Sequence, residues 1–159
     1  MDKLDIVTDE SGNEVVLLPE IIFSNKQNIN WNDVEDYLGK YVGELIEIAE
    51  TRDIIYIGNK FPDEYGGSSY TRKTKGARAK AKANAAQGIR EMVEIATDKV
   101  YRENHKEKHS EDAHNGWFYY VTRFAIPLYN NEKKTGEYNV YSACLVVNHA
   151  ANGKMVSAK

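Results

Sequence analysis

The sequence predicts an α+β domain in which an N-terminal helix and a long central helix pack on one face of an antiparallel sheet. Three observations predict it. Ala77, Ala81, Ala85, Ile89, Met92 and Ala96 recur at helical spacing in an alanine-rich stretch. Two β-rich runs, Trp117 to Leu128 and Tyr138 to Val147, flank the polar turn Asn130-Asn-Glu-Lys-Lys-Thr-Gly136. A shorter pair, Glu44 to Glu50 and Ile54 to Ile57, is joined by Thr51-Arg-Asp53.

Taken in order, residues 1–18 read as a poorly fixed lead-in, with a polar turn at Asp9–Asn13 and a short apolar run, Val15–Leu18, broken by Pro19. Asn30 or Asn32 caps a short helix ending at Leu38, with Trp31, Val34 and Leu38 on one side. The hairpin of residues 44–58 follows, then a loop through Tyr70 whose glycines, proline and polar residues argue against regular structure. The central helix spans about Thr74 to Asp98, and residues 99–116 read as a charged connector carrying His105, His109 and His114. In the first long strand Phe118, Tyr120, Thr122, Phe124 and Ile126 face one way. Trp117, Tyr119, Val121 and Arg123 face the other. Pro127 marks a bulge or an end.

The 159 residues are 42% hydrophobic, enough for one core, and no apolar run reaches the ~20 residues of a membrane helix. The start Met1-Asp-Lys-Leu-Asp5 has no basic, apolar leader, and the single Cys144 excludes an internal disulfide. A reducing, cytoplasmic compartment is expected. The net charge of -3 is unevenly spread. Residues 1–64 hold 15 acidic and 5 basic residues, whereas residues 65–90 hold seven basic residues and no acid. That pattern points to a local anion site rather than general adhesion to nucleic acid.

Phe61-Pro-Asp-Glu-Tyr65, Gly67-Ser-Ser-Tyr-Thr71, Ala79-Lys-Ala-Lys-Ala-Asn-Ala-Ala-Gln-Gly88, Glu94-Ile-Ala-Thr97 and Gly116-Trp-Phe-Tyr-Tyr-Val-Thr-Arg-Phe-Ala-Ile-Pro-Leu-Tyr129 occur in this order. They resemble a domain of phage and mobile-element polyvalent proteins placed in the barnase–EndoU–colicin–RelE (BECR) superfold. The resemblance covers roughly residues 15–153, and it implies one BECR-like domain over residues 19–153 with a short tail at 154–159. The family continues into one more strand after Asn148–Gly153, so that strand is expected to be shortened or absent here unless Val15–Leu18 covers the edge. The implied activity is metal-independent endoribonuclease action, with RNA as partner and no cofactor. The implied alternative is a non-catalytic anti-defence (anti-CRISPR) protein that binds a Cas nuclease or its guide RNA. For that role the acidic residues 1–64 could imitate nucleic acid.

Metal-free cleavage uses the neighbouring 2′-OH as nucleophile and needs an acid, a base and cations for the phosphorane. Lys82 is the first phosphate-stabilising candidate, with Lys75 and Arg78 in the same helical sector; the bland reading is stems lying along the core edge with solvated charges. Lys80 points to solvent. Arg123 offers a guanidinium beside Trp117 and Tyr119, able to hold phosphate while a ring stacks a base, or else it forms a cross-strand ion pair. Thr122 is read as an inward hydroxyl bonded to the helix. His109 has a pKa suited to proton transfer, and the resemblance favours the Lys108-His109 pair; otherwise it is a solvated loop histidine. Ser68 and Tyr70 lie in the glycine-rich loop, where backbone N–H groups could cradle phosphate or the hydroxyls merely cap the chain. Asp63-Glu64 could supply a base, Cys144 reads as core, and the three connector histidines fit no standard metal motif.

Overall fold

The computed structural model describes residues 3–24, 29–67, 76–102, 116–149 and 155–158, the last four and His149 by backbone alone. The architecture is α+β, with helices packed against a curled mixed sheet. Strands β1 (Ile6–Thr8) and β2 (Glu14–Leu17) precede helix α1 (Trp31–Leu38), and β3 (Leu45–Glu47) and β4 (Ile54–Tyr56) form a hairpin. Helices α2 (Phe61–Gly67), α3 (Ala77–Ala85) and α4 (Ile89–Glu94) follow, then β5 (Thr97–Arg102), β6 (Trp117–Asn130), β7 (Lys133–His149) and β8 (Met155–Ala158).

The sheet runs β1-β2-β6-β7-β8-β4-β3, with β5 also pairing β6. Most pairings are antiparallel, but β2 runs parallel to β6 and β4 parallel to β8, so the sheet is mixed rather than antiparallel throughout. One edge of β6 carries β7 along its length. The other edge is shared: β5 pairs with Trp117–Val121 and β2 with Phe124–Ala125.

The N-terminal segment is not a loose lead-in. Val15, Val16 and Leu18 are among the most buried residues of the protein. The Leu18 N–H donates to the Ala125 carbonyl at 3.0 Å. The sequence reading missed this because the run is only four residues long and its strand partner lies about a hundred positions away. A short strand, β8, does follow Asn148–Gly153 and lies between β7 and β4, and β2 occupies the opposite side of the β6–β7 pair. The N-terminal segment therefore does not substitute for it.

Helix α1 starts as expected. The Asn30 side chain accepts from the N–H groups of Asn32 and Asp33, and Trp31, Val34 and Leu38 are buried. The stretch after Gly58, read as irregular, contains α2: Pro62 lies in its first turn, where a missing N–H costs nothing. The central helix is shorter than its alanine periodicity predicts. It narrows to a 3-10 turn at Ala86–Gly88 and stops at Glu94. Gly88 sits where β2 crosses: a Cβ there would lie 3.2 Å from Leu18 and 3.3 Å from Val16. At the C-terminal end, the Glu94 carbonyl accepts from Ala49 N–H at 2.9 Å, so the β3–β4 hairpin closes the helix. Ile95 and Ala96 then enter the core, and Asp98 (φ 57°) lies at the irregularity of β5 between its Thr97 and Val100 pairings.

The core lies between the helices and the inner face of β6 and β7, with Tyr120, Ile55, Ile57 and Val147 meeting Val34, Leu38, Phe61 and Ala83. Two amides of the alanine-rich stretch act as clamps. Asn84, fully buried, accepts from the N–H groups of Ile22 (2.8 Å) and Phe23 (3.0 Å) and donates to the Phe23 carbonyl (2.9 Å). Gln87 donates to the Glu20 carbonyl at 2.9 Å. These two residues of the Ala79–Gly88 stretch thus fix the chain around residues 20–23.

Candidate functional site

The strand period of two sets the geometry of every candidate on β6. The Thr122 hydroxyl donates to the Met92 carbonyl at 2.7 Å, as its inward reading anticipated, and Tyr120 and Phe124 are buried beside it. Arg123 consequently projects from the opposite face, the one the helices leave uncovered. Lys82 lies on α3, on the helix side. The predicted cooperation of Lys82 and Arg123 around a single phosphate is therefore not what the fold builds, because the whole sheet separates them.

On the uncovered face, Tyr119, Val121 and Arg123 are half-buried. The β5 register sets Val100 beside Tyr119 and Arg102 beside Trp117, and β7 sets Ser142 beside Arg123 and Cys144 beside Val121. The Arg102 guanidinium stands 5.3 Å from the centre of the Tyr119 ring, a cation–π geometry. Val100 is 49% exposed. Trp117, expected to offer its ring for stacking, is instead buried at 8% exposure, paired on both edges by Arg102 and Asn148. Cys144 is exposed rather than core; partial burial pushes its thiol upward, with Arg102 opposing. Arg102 escaped the sequence reading because β5 follows the helix without a glycine or proline break. Val100-Tyr101 was the available signal.

On the helix side, α2, α3 and α4 enclose a pocket of about 450 Å³ against β6 and β7. Arg78 and Lys82, four residues apart on α3, both line it, as the shared sector predicted. Arg78 and Lys80 are exposed and Lys82 is half-buried. The Lys82 ammonium lies 4.9 Å from the centre of the Tyr65 ring, and burial holds its pKa below the ordinary lysine range. Tyr65 donates its hydroxyl to the Lys82 carbonyl, and burial pushes that phenol upward.

A third group of titratable residues joins the hairpin to the sheet. Asp53 accepts from Tyr120 (2.6 Å), Thr51 (2.7 Å) and Lys99 (2.8 Å). Burial alone would raise this carboxyl, but the hydrogen bonds from Lys99, Tyr120 and Thr51 hold it below its ordinary value. Burial and then Asp53 push the Tyr120 phenol upward. These bonds tie β4, β5 and β6 together. Asp63 and Glu64 fall in the first turn of α2.

His109, Lys75, Ser68 and Tyr70 lie outside the described residues, as do His105 and His114. Among the described residues no three His, Cys, Asp or Glu side chains converge as metal ligands, and no helix is long and apolar enough to cross a membrane. Comparison with protein-family models, curated proteins and solved structures gives no significant match to this chain.

Proposed function

We propose that the chain binds single-stranded RNA on the uncovered face of β5, β6 and β7, as a protein of a phage or mobile element of the BECR-like kind. The observation that carries this reading is the arrangement of Arg102 over the Tyr119 ring with Arg123 on the same face. Guanidinium groups hold phosphates, and an aromatic ring beside them gives an unpaired base a stacking surface. The arrangement supports binding ahead of cleavage. Transesterification through the 2′-OH would require an acid and a base at these two arginines, and His109 is the proposed member of that pair.

The test is anisotropy of a fluorescein-labelled single-stranded RNA in EDTA with the full chain. Replacing both arginines, Arg102→Ala and Arg123→Ala, is expected to weaken binding about tenfold or more. It should also flatten the log–log salt dependence by about 1.4, the share of two phosphates on a single strand. Unchanged affinity and slope would refute the reading. Fragments ending in 2′,3′-cyclic phosphate would add catalysis.

A second reading, anti-defence binding to a Cas nuclease, is favoured by one feature: exposed Asp33 and Asp36 on α1 and Asp63 on the adjacent α2. Capture of the nuclease that depends on these aspartates, with no RNA binding by the isolated chain, would select it.

A further inference from the structure

The pocket on the helix side is separate from the proposed RNA face and has its own chemistry. Ala81 and Ala85, one turn apart on α3, leave the space that larger residues would fill, and Phe61, Met92 and Phe124 wall it. At about 450 Å³ it falls within the roughly 300–1,000 Å³ of small-molecule sites. The side chains of Arg78 and Lys82 are the charges of its described lining, which includes no carboxylate. Two inner hydroxyls are already committed: Thr122 donates to the Met92 carbonyl and Tyr65 to the Lys82 carbonyl. With the Thr122 and Tyr65 protons spent, Tyr141 and Ser142 are the other hydroxyls of a mainly apolar lining, which matches the several polar atoms of a nucleobase edge poorly because each unmatched atom would lose its water. A ligand that is apolar along its length and anionic at one end meets both the apolar walls and the two cations of the lining.

We infer that this pocket binds an apolar carboxylic acid of the medium-chain fatty-acid class, its tail between α3 and the β6–β7 pair and its carboxylate at Lys82 and Arg78. Burial of the Lys82 ammonium is consistent with this, since a bound anion would offset the desolvation that depresses its pKa.

Isothermal titration of the full chain with decanoate and with decanol tests the assignment, alongside Lys82→Met, which removes the charge while keeping an unbranched stem. Decanoate is expected to saturate one site and to bind about tenfold or more tightly than decanol, as a charge-assisted contact implies. Lys82→Met is expected to cut that preference severalfold, Arg78 holding the remainder. Ala85→Leu, which fills the cavity, should abolish both heats; if that variant does not fold, the Lys82→Met comparison decides. The inference is overturned by no saturable decanoate heat from protein with a cooperative unfolding transition. It is equally overturned by an acid preference that is undiminished in Lys82→Met, or by uridine monophosphate binding where decanoate does not.

Discussion

Replacing Asn84 with alanine should be among the most damaging single changes in the protein, although the residue sits in a run of alanines. Its side chain makes four hydrogen bonds: two accepted, from Ile22 and Phe23 N–H, and two donated, to the carbonyls of Phe23 and Lys80. Three of these tie the segment after Pro19 to α3. At about 1 kcal/mol net per bond, their loss costs about 3 kcal/mol. Leaving buried partners unsatisfied adds to that, while Ile22, 39% exposed, can recover water; about 3–4 kcal/mol is the expected total. The gain in helix propensity from Asn to Ala returns only about 0.7 kcal/mol or less. In a chain of this size each kcal/mol moves Tm by about 2–4 °C, so a drop of about 6–16 °C is expected. Urea unfolding gives the free energy directly, provided the slope with denaturant is unchanged. A loss below about 1 kcal/mol would refute the clamp. Asn84→Asp provides a second check: it keeps the acceptor but removes both donated bonds and buries a charge, so it should cost at least as much at neutral pH.

The Asp53 network makes stability depend on pH in a defined direction. Its carboxyl is held below the ordinary value in the folded state, so its contribution is present above the unfolded pKa of about 3.9 and lost as pH falls through the lower folded value. Urea titrations of wild type and Asp53→Asn should therefore differ by about 1 kcal/mol at pH 7, a modest figure because the pair with Lys99 is partly solvated, and should converge as pH falls through the lowered folded value; a constant difference would argue against the network. Gly116→Ala should open the β5–β6 junction. With φ at +102° and a Cβ position 2.6 Å from the Arg102 carbonyl oxygen, an alanine is expected to cost about 2 kcal/mol or more, and amide exchange of β5 should accelerate selectively. Because this change displaces Arg102, it should weaken RNA binding as well as stability.

Periodicity made several features legible before any coordinates. The alternation in β6 put Thr122 and Arg123 on opposite faces, and the helical sector placed Arg78 and Lys82 together; the structure bears out both placements. The helix boundary was not legible, because alanine spacing runs on through Ala96 while the helix stops at Glu94, whose carbonyl is capped by Ala49 from a distant hairpin. Strand β5 was hidden in a charged stretch. It carries an irregularity at Asp98, which is left-handed and whose N–H donates to Glu50, 48 positions away, at 3.1 Å. Arg102, the residue that completes the proposed RNA face, was lost with it.

What the sequence by itself determined is what local physics controls: the α+β class, the main strand pair and its two faces, the Asn30 cap and the basic side of α3. Each follows from side chains three, four or two positions apart, or from a cap with its own helix. The tertiary structure decided which faces meet. It set β2 parallel to β6, joined the β3–β4 hairpin to the sheet through β8 and put Lys82 and Arg123 on opposite sides. It also turned Asn84 from a weak helix residue into a clamp, because its partners Ile22 and Phe23 lie about sixty positions away and are brought near only by the tertiary fold.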